Sequence, residues 1–142
     1  MSWYETLLLL HILSAFLLVG SLTTFWALVL GTRPEGPVLT QDAAGAVARP
    51  TNVLVIAGTV GTLVFGVWLA IDHDDYQVWD GWILASLVLW AVAGGLGERS
   101  GRAFTRAMDG SLEARRRGLL FHTGASLAVL LILILMIYKP GA

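Results

Sequence analysis

Three histidines and ten acidic residues supply most of the side chains in this chain that could hold a metal, bind a cofactor or move a proton. There is no cysteine, which excludes thiolate metal sites, iron–sulfur clusters, disulfides and cysteine nucleophiles. His11 and His122 lie in apolar surroundings; His73 stands in the acidic run Asp72-His73-Asp74-Asp75. Neutral imidazole is the commonest protein metal ligand and the usual axial ligand of b-type haem, so His11 is the first candidate for a cofactor site. Gly66 and Ser86 join it, because counting inward along the apolar segments puts all three at one depth. His122 falls at the depth of Asn52, and the two are expected to form a structural polar pair. Asp72, His73, Asp74 and Asp75, with Asp80 close behind, offer oxygen and nitrogen ligands to a divalent cation. The same run also reads as a solvated acidic loop, and it lacks EF-hand spacing.

Catalytic constellations are not visible. The apolar segments contain no glycine-rich phosphate loop, Ser-His-Asp set or carboxylate pair, so hydrolysis and phosphoryl transfer have no machinery in view. No Asp, Glu, Lys or Arg falls near the middle of an apolar segment, which argues against primary ion transport.

The elements that must position these residues are membrane-spanning helices. Hydrophobic residues make up 56% and charged residues 13% of the 142-residue chain, outside the range of soluble domains. The apolar residues are gathered into blocks near the ~20 residues that cross a hydrocarbon core ~30 Å thick. The pattern predicts helices over about residues 6–30, 51–71, 81–96 and 118–138, joined into one antiparallel four-helix transmembrane bundle, a single domain. The opening residues Met1-Ser2-Trp3-Tyr4-Glu5 carry no positive charge, and the apolar stretch after them is too long for a signal-peptide core, so the first segment is expected to be retained. Gly31-Thr32-Arg33-Pro34-Glu35-Gly36-Pro37 stops the first helix. A short helical lead-in from Thr40 is expected to reach Pro50, which suits the first turn of the second helix or a kink. The third helix is apolar only to about Leu96. It is expected to continue through Glu98 and Arg102, an i,i+4 pair, until Gly110 breaks it. Trp3, Tyr4, Trp79 and Trp82 suit the headgroup layer.

Charge sets the expected orientation. Arg33 and Arg49, then Arg99, Arg102, Arg106, Arg115, Arg116 and Arg117, lie in the connections at about residues 31–49 and 97–117, whereas the opposite side has only Lys139. Positive residues collect in the cytoplasm, so both termini and the residue 72–80 connection are expected outside, in an inner (plasma) membrane. The arginine-rich connection is expected to meet anionic lipid headgroups, or simply to hold the topology. The net charge of −1 predicts no attraction to nucleic acid.

Within the spans, His11, Ser14, Leu18 and Ser21 share a line on the first helix, and Asn52, Thr59, Thr62 and Gly66 on the second. At ~1.5 Å rise per residue, His11 lies about 7 to 8 Å below the outer boundary and His122 about 6 Å above the inner one. The two imidazoles are thus roughly 15 Å apart along the normal of a ~30 Å core, too far to ligate one haem together. Gly58, Gly61 and Gly66 provide surfaces for close helix approach, within the chain, in a homo-oligomer or in a larger membrane complex.

Leu10-His11-Ile12 through Val19-Gly20, Arg49-Pro50 leading into a helix with Thr59 and Gly61, and Trp79-Asp80-Gly81-Trp82 opening a third helix resemble a group of small predicted integral-membrane proteins of unknown function. More remotely, the pattern is similar to CopD-like copper-resistance membrane proteins and HemJ-type membrane protoporphyrinogen oxidases. The HemJ resemblance implies a haem-binding, porphyrinogen-oxidising bundle with an important histidine in the first helix and lysine in the third. His11 matches the histidine; at the lysine's place this sequence has Ser86. For the copper resemblance, Met1, Met108 and Met136 form no ligand cluster. The expected function is a structural, accessory or small-molecule-binding role in the membrane. The alternatives are a b-type haem redox protein using His11, or the handling of copper or another metal.

Overall fold

A computed structural model of the protein describes residues 2–31, 41–72, 79–107 and 111–140. They form four helices: α1 (Trp3–Gly31), α2 (Gln41–Asp72), α3 (Gly81–Ala107) and α4 (Leu112–Tyr138). No strand occurs among the described residues. All four helices are long and apolar enough to cross a membrane. With 27 to 32 residues each, they extend roughly 40 to 48 Å, beyond the ~30 Å hydrocarbon core.

The helices outrun their apolar cores because local capping and helix-forming flanks carry them into the headgroup region. Ser2 and Glu5 form a capping box at the start of α1: the Glu5 N–H donates to Ser2 Oγ at 3.2 Å, and the Ser2 N–H to Glu5 Oε2 at 2.7 Å. Ser111 caps α4, its hydroxyl accepting from the Ala114 N–H at 3.3 Å, so α4 starts at Leu112 and takes in Glu113 and three arginines. Lys139 ends α4 in the left-handed conformation, φ 40°, its N–H donating to the Leu135 carbonyl at 2.9 Å. α2 passes through Pro50 as one helix from Gln41 rather than as a lead-in and a separate span. The proline removes one donor, and the next residue adds one: buried Thr51 donates its hydroxyl to the Val47 carbonyl at 2.7 Å. α3 continues to Ala107 as a charged extension; Gly110, the expected break, lies outside the described residues.

The chain divides into two compact units, α1 with α2 and α3 with α4. In the first, the helices run antiparallel, with Trp3 edge-on to Trp68 at 5.6 Å between ring centroids. Leu7, Ser14, Leu18, Ser21 and Leu28 are buried along α1, at spacings of three, four and seven that make a coiled-coil-like seam. Gly58 brings the two backbones together: a Cβ there would stand 2.6 Å from the Leu18 nitrogen and 2.9 Å from the Ser14 oxygen. One turn further, Gly61 faces the Ser14 side chain.

The second unit is also an antiparallel hairpin. Gly118 of α4 receives the Phe104 ring of α3, and the Gly118 carbonyl accepts a buried hydrogen bond from Ser100 Oγ at 3.0 Å. Gly124 meets Leu96 midway. At the opposite end, Lys139 Nζ sits 5.9 Å from the centroid of the Trp82 ring, within cation–π range. Gly118, His122, Ala125 and Val129 form the buried line of α4.

Candidate functional site

α1 and α2 place His11 against Thr62 and Gly66. His11 Nδ1 lies 3.1 Å from the Thr62 carbonyl oxygen. A carbonyl only accepts, so Nδ1 carries the proton and donates; in the neutral ring the lone pair is then on Nε2. The imidazole reaches this position because residue 66 has no side chain. A Cβ at Gly66 would lie 2.9 Å from His11 Cε1 and 3.1 Å from Nδ1. Thr62 and Gly66, one turn apart, therefore do two jobs: one supplies the acceptor, the other the space.

The same turn carries an unmatched polar group. Thr62 Oγ1 is buried and has no hydrogen-bond partner among the described residues. Its neighbours on the helices take the usual intrahelical route: Thr59 donates to the Val55 carbonyl at 2.6 Å and Ser14 to the Leu10 carbonyl at 2.8 Å. Buried hydroxyls without a partner are uncommon and costly. The His11 turn thus combines an imidazole held through Nδ1 on α1 with a buried hydroxyl on α2 that has no partner among the described residues.

Of the residues singled out in the sequence, His11 and Gly66 are in contact. Ser86 belongs to the other hairpin, where it is buried and donates to the Trp82 carbonyl at 2.8 Å. Asn52 is an exposed residue of the first hairpin, and His122, 4% exposed, belongs to the second. Ser126 donates to the His122 carbonyl at 2.9 Å. Asp72 is exposed at the end of α2, while His73, Asp74 and Asp75 lie outside the described residues. Among the described residues, no group of three or more His, Asp or Glu side chains is arranged to hold a metal ion.

Sequence reasoning passed over two participants. Thr62 was visible only as one of several small polar residues on α2, with nothing to single out its carbonyl. Ser100, 2% exposed, sits in a charged stretch that reads as a solvated helix end.

A model of a family of predicted integral membrane proteins, DUF2269, matches residues 5–99. The chain belongs to this family. Its function is unknown, and no curated protein and no solved structure matches the chain. The matched region takes in α1, α2 and α3 as far as Arg99, and with them His11, Thr62, Gly66, Asn52 and Ser86. His122 and the remaining arginines from Arg102 onward fall beyond it. Membership and four long apolar helices together make this an integral membrane protein in contact with the lipid bilayer.

Proposed function

We propose that the protein is an accessory, small-molecule-binding component of the inner (plasma) membrane, and that it binds its ligand at the His11 turn without catalytic machinery of its own. The observation that carries this reading is the His11–Thr62 contact. It commits Nδ1, leaves Nε2 of the neutral ring as an acceptor, and stands beside a buried Thr62 hydroxyl with no partner among the described residues. A ligand offering a hydrogen-bond donor or a metal to the imidazole, and an acceptor to the hydroxyl, complements both groups.

The test is native mass spectrometry of the protein extracted from its own membranes, comparing wild type with His11→Ala and Thr62→Val. The expected result is a bound species other than phospholipid that is retained by wild type, weakened in Thr62→Val and lost in His11→Ala. Equal retention in all three would refute the reading.

A second reading, b-type haem on His11, is favoured by the same hydrogen bond. Ligating histidines characteristically donate their other ring N–H to a carbonyl or carboxylate, which fixes the tautomer and ring orientation. His11 fits as one axial ligand through Nε2, and bound haem would supply one-electron redox chemistry there. The spectrum of purified protein from haem-supplemented cells, with and without dithionite, separates the two readings. A Soret band lost in His11→Ala supports haem; colourless wild-type protein removes it.

The orientation belongs to the same proposal: the arginine-bearing ends of α3 and α4 face the cytoplasm and attract anionic headgroups, with the residue 72–80 connection outside. A reporter fused after Ala142 should then be extracytoplasmic, and a cytoplasmic signal would reverse the orientation.

A further inference from the structure

A shallow, open recess lies along one flank of α3, bordered by Leu96, which also meets Gly124 of α4. Val88, Ala91, Val92, Gly95 and Leu96 line it, with Glu98 and Arg99 at one end, and its volume is about 510 Å³. At ~100° per residue, Val88, Val92, Gly95, Arg99, Arg102 and Arg106 fall within roughly 40° of one line, whose centre is turned by about 120° from Ser100, which bonds α4. All six are exposed. The recess is deepened by Gly95, where an added Cβ would meet nothing within 4 Å.

We infer that this stripe is a binding site for one anionic phospholipid, its acyl chain lying along Val88, Val92 and Gly95 and its phosphate held at Arg99. Length and charge select this occupant. From Val88 to Arg99 is roughly 16 Å of helix, close to one leaflet of a ~30 Å hydrocarbon core, so the apolar part matches one acyl chain and the guanidinium falls at headgroup level. Glu98, at the mouth, is ion-paired with Arg102, which offsets part of its repulsion for a phosphate. Arg99, Arg106 and, at the start of α4, Arg116 have no carboxylate partner among the described residues. Guanidinium groups bind phosphate oxygens in a fork, with direction as well as charge. Arg117 differs, since it is paired with Glu113 at 2.5 Å.

This inference rests on the reading that the arginine-rich end attracts anionic headgroups, and goes further by giving one lipid a defined groove. The experiment is native mass spectrometry of the full-length protein in detergent, titrated with dioleoyl-phosphatidylglycerol or dioleoyl-phosphatidylcholine, which share acyl chains and differ in headgroup charge. Wild type should retain one phosphatidylglycerol in preference to phosphatidylcholine. Arg99→Gln should weaken that retention about fivefold, from the ~1 kcal/mol that one basic residue contributes near an anionic headgroup. Gly95→Leu should fill the recess and expel the lipid with helix content and oligomeric state unchanged, and Arg117→Gln should retain it as wild type does. If Gly95→Leu binds as wild type while Arg99→Gln and Arg117→Gln weaken binding equally, surface attraction stands and the groove is overturned. Equal retention of the two lipids overturns both. A wild-type dimer that Gly95→Leu splits into monomers would assign the recess to a second copy of the chain, and would also overturn the proposal.

Discussion

The two hairpins solve the same problem by different means. In α1–α2 the contact is backbone on backbone: Gly58 admits the chain of α1 at Ser14 and Leu18, and an imidazole bridges to a main-chain carbonyl at Thr62. In α3–α4 an aromatic ring fills a glycine notch at Gly118, a serine hydroxyl ties the helices, and the charged groups gather at that end. Lipid tails are as apolar as leucine, so helices in a membrane associate through close packing and hydrogen bonds rather than by hiding hydrophobic surface. The first hairpin puts its polar crossing well within the apolar part of both helices, where a ligand can complete it. The second puts its tie, Ser100 to the Gly118 carbonyl, beside the arginines. The contrast is therefore one of where each hairpin places its polar crossing: within the apolar span in the first, and beside the charged helix ends in the second.

Substitutions that attack each device can break or sharpen that contrast. The largest effect is expected at Gly58. Gly58→Val places atoms where Leu18 and Ser14 backbone already stand, which no side-chain rotation relieves, and about 3 kcal/mol of hairpin stability should be lost. Circular dichroism during titration with a denaturing detergent measures this; a loss below that of Ser100→Ala would show that the backbone contact is not what holds α1–α2. Next comes Ser100→Ala. It removes one buried interhelical hydrogen bond and should cost about 0.6 to 1 kcal/mol in the same titration. No change would place the strength of α3–α4 in packing, such as Phe104 on Gly118 and Leu96 on Gly124, rather than in the hydroxyl. Gly95→Ala should act in the opposite direction, because its Cβ enters open space and alanine is favoured over glycine in a helix by about 0.5 to 1 kcal/mol. A destabilised Gly95→Ala protein would mean that another helix needs that surface bare. The smallest effect is expected from Glu98→Gln. Its pair with Arg102 is about two-thirds exposed on both sides, so stability should change by less than about 0.5 kcal/mol. The same variant frees Arg102, and phosphatidylglycerol retention should rise if the mouth of the groove lies there.

Much of the architecture was legible because its cause is local. Four apolar blocks of spanning length force helices, since backbone donors and acceptors have no other partners in hydrocarbon. The serines Ser14 and Ser21, on one line with Leu18, indicated the buried seam of α1, a signal that survives when hydrophobic periodicity does not, because lipid-facing and protein-facing positions are both apolar. Boundaries were less legible. Thr51 beside Pro50, and Ser111 before Leu112, extend helices through residues whose composition reads as connection.

The sequence by itself therefore determined the solvent of this protein, the number of its spans and which residues are too costly in lipid to be incidental, since each follows from the free energy of putting a given side chain or peptide group into hydrocarbon. Only the tertiary structure decided that His11 spends Nδ1 on Thr62, that Gly66 makes the room, and that Ser100 reaches the Gly118 carbonyl. These depend on which atoms of two helices meet at a few ångströms, a property of packing that no single helix carries in its own residues.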